Sequence, residues 1–201
     1  MWEILKRQWI LHIKENPITY LLIVFIFTTG IMAGAFTVIS LSSQQKLNVS
    51  IFLQEFFNSQ QSLSINRWAI FKESLWQHFV TVFFIWLFGI FVWGSPFILA
   101  IIGIRGFSFG FTIGFMVEYY RFGGFLFSLV CILPQSIVYV PCYIGIGIIS
   151  MLFSLKKNRR RDKVSQYTIR VAIVFLILLI GVFIETFISP LLFPLFIWIF
   201  R

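Results

Sequence analysis

Residues 18–40 contain no charged side chain, and comparably apolar runs recur toward the far end of the chain. As a helix, such a run crosses the ~30 Å hydrocarbon core of a bilayer. In that medium each backbone N–H and C=O must be satisfied inside the protein, so only helices and closed barrels span it. The short alternating segments of a barrel are absent. The sequence therefore predicts an all-α, polytopic integral membrane bundle. Composition agrees: 59% of residues are apolar and 11% charged, against roughly 45–50% and about 25% in soluble domains.

The apolar runs divide the chain into about five spans within one transmembrane domain, 1–201. Residues 1–17 read as a cytoplasmic amphipathic leader, with Lys6, Arg7 and Lys14 on one face and Trp2, Leu5, Trp9 and Ile13 on the other. Span 1 is 18–40, a retained span with no clean cleavage site. An external interfacial segment follows at 41–77: a loop, then two surface helices around 49–57 and 67–76. Span 2 is 78–104, span 3 is 106–120 and span 4 is 125–155 with a broken start. A basic cytoplasmic loop occupies 156–170, span 5 is 171–189, and 190–201 forms an outer interfacial tail. The basic leader and basic loop both belong on the cytoplasmic side, which puts the N-terminus inside and the C-terminus outside. The same distribution of the +9 net charge argues against nucleic acid as a partner.

Span lengths conflict with straight helices. Residues 78–104 would extend roughly 40 Å, whereas Gly106 to Val117, ahead of Glu118, gives roughly 18 Å. The turn between them is expected near Arg105, read as a cytoplasmic anchor. Pro96, Pro134, Pro141 and Pro190 are expected helix breaks. Gly30 and Gly34 form a GxxxG pair, and Gly106, Gly110 and Gly114 repeat every four residues. Such faces let helix backbones approach closely. Arg105, Gln135 and Glu185 are polar groups at membrane depth. Glu185 invites either a register-fixing partner or a coupling site, because an isolated charge there costs about 2.5–3.5 kcal/mol.

Catalytic chemistry finds little support. Gly106-Phe107-Ser108-Phe109-Gly110 matches G-x-S-x-G, but both histidines, His12 and His78, precede Ser108. The nucleophile elbow needs its histidine later in the chain. Ser108 is read as one more small packing residue. The cysteines and histidines lack metal-ligand spacing, and Cys131 and Cys142 read as buried thiols. No catalytic residue, cofactor or metal site is assigned.

Taken together, Trp93-Gly94, the Gly106–Phe115 run, Leu133-Pro134-Gln135 with Pro141, and Glu185 followed by Pro190 resemble the stage II sporulation protein M family. The wider membrane family often carries Pro-His-Gly and a later Glu where this chain has Pro134-Gln135-Ser136 and Tyr139, a departure that favours the sporulation branch. The resemblance implies a non-enzymatic scaffold in the bacterial cell membrane, at the sporulation septum and the mother-cell engulfing membrane. It implies recruitment of two peptidoglycan-degrading enzymes, stage II sporulation proteins D and P, during forespore engulfment. Phe52, Phe56, Phe57 and Trp68 are then the expected docking residues on the external segment, membrane lipid is a partner, and a homo-oligomer remains open. The alternative is a channel or transporter-like subunit using the broken helices and Glu185.

Overall fold

The computed structural model describes residues 16–61, 67–155 and 161–189. The leader up to residue 15 and the outer tail, with its expected break at Pro190, lie outside these residues. So do the side chains of Phe52, Phe56 and Phe57.

Every element among the described residues is helical: α1 (Pro17–Ser40), α2 (Ser43–Gln61), α3 (Arg67–Ile90), α4 (Ser95–Phe127), α5 (Leu133–Leu155) and α6 (Arg161–Phe183). Two π-helical segments, Ser128–Ile132 and Ile184–Ile188, lead into α5 and extend α6. Among the described residues, four helical runs are long and apolar enough to cross a membrane: Pro17–Ser40, Arg67–Ile90, Ser95–Leu155 and Lys163–Ile188. The third reverses at Arg121, whose φ of 53° lies in the left-handed region. Gly124 lies directly against the Met116 carbonyl, and Gly147 packs on Ile102, so this run makes two antiparallel passes.

The starts of the helices carry local signals. Pro17 lies in the first turn of α1, where its missing N–H has no helical partner to lose. Ser42 and Gln45 exchange side-chain to backbone hydrogen bonds of 3.3 and 3.0 Å. This S-x-x-Q capping box starts α2 at Ser43, where the sequence reading placed a loop.

The breaks fall elsewhere than expected. The second pass begins at Arg67, so Arg67–Trp76 belongs to the spanning helix α3 rather than to a surface helix. The turn lies at residues 91–94, not at Arg105. Gly94 lies so close to the Phe88 carbonyl that no Cβ fits, and the Ser154 hydroxyl donates to the Phe91 carbonyl at 2.7 Å. Pro96 is in the first turn of α4 rather than at a kink within a span. Arg105 consequently sits inside α4 and is no cytoplasmic anchor. Pro134 and Pro141 both lie within α5 without ending it. The wider π turn immediately before α5 accommodates the region around Pro134.

The tightest contact joins α1 to α4. Gly30 lies against the Gly103 carbonyl and Gly34 against that of Phe107, with no room for a Cβ on either. From the other side, Gly106 faces the Phe27 carbonyl, Gly110 that of Ile31, and Gly114 the backbone of Ala35. Both numberings rise together, so α1 and α4 run parallel. Lys46 and Glu118, just beyond this contact, pair at 2.9 Å and fix one face of the bundle. The core then gathers α3, α5 and α6 against this pair around Ile85, Ile98, Ile102, Tyr143, Ile146 and Leu178.

Gly110→Ala places a methyl against the Ile31 carbonyl and is expected to lower the melting temperature of detergent-solubilised protein sharply. Gly145→Ala meets open space and is expected to be neutral or to gain up to about 1 kcal/mol from helix propensity. Equal melting temperatures for both variants would contradict the glycine contact.

Candidate functional site

Four helices bring polar groups to one point inside the bundle. The Gln77 backbone carbonyl and the His78 and Thr81 side chains come from α3, Arg105 from α4, Tyr139 and Tyr143 from α5, and Glu185 from the π segment after α6. At 1.5 Å per residue, His78, Arg105 and Tyr143 lie roughly 15–18 Å along their helices from the ends nearest residues 91–94. That is the middle of a ~30 Å core.

His78 is the hub, with its side chain 10% exposed. Its Nδ1 lies 2.5 Å from the Tyr143 hydroxyl and its Nε2 lies 3.5 Å from Glu185 Oε2. A neutral imidazole satisfies both contacts: the phenol donates to Nδ1, and Nε2–H donates to the carboxylate. Tyr139 donates its hydroxyl to the same Glu185 oxygen at 2.5 Å, and its ring packs on the imidazole with centroids 4.3 Å apart. Glu185 thus receives two donors from two helices. This is the arrangement that offsets the cost of an acid among apolar side chains.

Arg105 is held differently. Its guanidinium donates to the Gln77 carbonyl at 3.0 Å and to the Thr81 hydroxyl, and lies 5.3 Å from the centre of the Tyr143 ring. Backbone oxygen, hydroxyl and aromatic face take the place of a carboxylate. Tyr143, fully buried, therefore connects the arginine to the histidine.

Further polar contacts bracket this cluster. Gln135 accepts from the Ser189 hydroxyl at 3.2 Å, and Ser189 also donates to the Cys131 carbonyl at 3.0 Å. The two π segments are thereby tied together. Gln135, one of the polar groups expected at membrane depth, thus has Ser189 as its partner. Toward the opposite end, Tyr167 donates to the Trp86 carbonyl and the Ser150 hydroxyl, both at 2.9 Å.

Of the expected intramembrane polar residues, the cluster takes in Arg105 and Glu185, while Gln135 lies just beyond it. It also includes His78, Tyr139 and Tyr143, which the sequence reading did not assign to a site. Tyr139 and Tyr143 are four apart, hence on one helical face, and His78 opens an apolar stretch. Those were the legible signals, but neither identifies a partner.

Ser108 is elsewhere: exposed on α4, it donates to the Ile104 carbonyl at 3.0 Å. The glycines, not Ser108, face α1. Among the described residues, His78 contacts phenols and a carboxylate and no serine, threonine or cysteine nucleophile. No group of three or more His, Cys, Asp or Glu side chains gathers there that could hold a metal. Cys131 and Cys142 are both buried free thiols. The cluster holds helices in register and shares hydrogen bonds among them.

His78→Phe and Tyr139→Phe should each destabilise the detergent-solubilised protein. The double variant should lose more than the sum, because it leaves the Glu185 carboxylate with neither donor. Strict additivity of the two melting shifts would mean that Glu185 does not link them.

No curated protein and no solved structure matches the chain. A family model does: that of stage II sporulation protein M, over residues 23–190. The match runs from within α1 through the π segment carrying Glu185, and thus takes in the glycine contact and every member of the polar cluster. The chain therefore belongs to the stage II sporulation protein M family.

Proposed function

We propose that this chain is a non-enzymatic membrane scaffold that recruits and positions peptidoglycan-degrading enzymes, stage II sporulation proteins D and P, at the septal membrane during forespore engulfment. Membership of a sporulation membrane family supports the setting. The observation that carries the scaffold reading is an aromatic group where α3 begins and α6 ends. Trp68, 65% exposed, meets Phe71 and Phe187 edge-on, with centroids 6.0 and 6.3 Å away. It lies at the end of the bundle that also carries Lys46 and Glu118. The polar cluster beneath it ties α3 to α6 through His78 and Glu185, so the two helices present this surface as one unit. A rigid aromatic anchor beside a polar rim is the usual chemistry of a protein-docking site.

The channel or transporter reading draws on the same buried cluster. Its path would run between α3, α5 and α6, where the His78 and Tyr139 rings are packed 4.3 Å apart. That packing favours the scaffold.

Trp68→Ser in sporulating cells is expected to reduce recovery of a wall hydrolase with the membrane protein several-fold while leaving membrane insertion intact. Ser108→Ala is expected to leave both engulfment and hydrolase recovery unchanged. Full hydrolase recovery with Trp68→Ser would remove the proposed docking surface, and an engulfment arrest with Ser108→Ala at normal protein level would revive the hydrolase reading.

A further inference from the structure

On the lipid side of the bundle, α3 and α6 leave a groove between them of about 320 Å³, lined by Lys72, Leu75, Trp76, Phe79, Phe175 and Leu179. Five of the six lining side chains are apolar or aromatic, and the lysine stands at one end. The groove follows α3 from Lys72 to Phe79. Lys72 is roughly 27 Å along the helix from Ile90, and Phe79 roughly 16 Å. Against a ~30 Å core, the lysine lies at headgroup level and the phenylalanine near the midplane. The groove therefore has the depth of one leaflet.

Its walls are held in place. Trp76 stacks on Phe79 with centroids 6.0 Å apart, and Phe79 meets Phe175 edge-on across the two helices at the same separation. Behind this wall His78 and Glu185 link α3 to α6. Trp76 is 61% exposed and forms one wall of the groove.

The charge at the mouth is available. Glu73, the adjacent acid, accepts a hydrogen bond from Gln77 at 3.3 Å. Among the described residues, no carboxylate lies within ion-pair distance of Lys72. An ammonium at headgroup level above an apolar slot is complementary to one kind of molecule present on that surface: an anionic phospholipid, with its phosphate on the lysine and an acyl chain in the slot.

We propose that Lys72 and the α3–α6 groove form a binding site for an anionic phospholipid. The site does not depend on the scaffold reading, since it involves neither Trp68 nor a protein partner.

The test uses native mass spectrometry of the full-length protein released from detergent in the presence of equimolar phosphatidylglycerol and phosphatidylcholine. The wild-type chain should retain phosphatidylglycerol over phosphatidylcholine by about fivefold, the preference one basic residue near the headgroups provides. Lys72→Gln should bring the two lipids to parity without changing the melting temperature, and Lys72→Arg should keep the preference. Leu179→Trp, which fills the slot, should reduce retention of both. Equal retention by the wild type, an undiminished preference in Lys72→Gln, or unchanged binding of both lipids in Leu179→Trp would overturn the proposal.

Discussion

The parallel contact between α1 and α4 organises the bundle. Lipid tails are as apolar as the side chains, so burial alone gives helices little reason to associate. Close backbone approach supplies the attraction instead, through dispersion between surfaces with no side chain in between. Gly30 and Gly34 receive the carbonyls of Gly103 and Phe107, while Gly106 and Gly110 receive those of Phe27 and Ile31. Each helix thus presses its ridge into the other's glycines. Because the two are parallel, a returning pass must lie between them in the chain, and α3 is that pass.

The second organising element is polar. The α1–α4 pair carries no acid or histidine at its glycine contact, yet α4 turns Arg105 toward α3 and α5. That arginine meets a carbonyl, a hydroxyl and an aromatic face, and the same tyrosine ring joins it to His78 and Glu185. Apolar packing tolerates sliding between helices, whereas these directed contacts hold only in one register. The two π segments add to this, since a wider turn re-aims the side chains that follow it. One carries Glu185 itself, and the other precedes Gln135 and Tyr139 by a few residues. Both are joined through Ser189.

Several local features could be read before the fold was seen. Gly106, Gly110 and Gly114 at a spacing of four do line a packing face, and Glu185 does have partners. Arg105 looks like a boundary in the sequence, yet the turn between the second and third passes lies at residues 91–94. Hydropathy scores a charge as costly wherever it falls, yet Arg105 lies well inside α4. Gly94-Ser95-Pro96 held the better signal: a glycine at a close turn and a proline in the first turn of the next helix. Ser42 and Gln45 likewise announced the start of α2. Tyr139, noted only as a departure from the wider family's pattern, supplies the closer of the two donors to Glu185.

The sequence alone determined the class of molecule. Long apolar runs leave a chain no other way to satisfy its backbone in lipid, and glycines at helical spacing mark a contact face whatever the partner. Those are local properties, and they remain legible residue by residue. Tertiary structure decided which helix meets the glycines, where the passes end, and that His78, Arg105, Tyr139, Tyr143 and Glu185 share one site. The physical reason is that burying a charge is governed by the donors and acceptors that surround it. Here those come from four helices, with His78 and Glu185 more than a hundred residues apart in sequence.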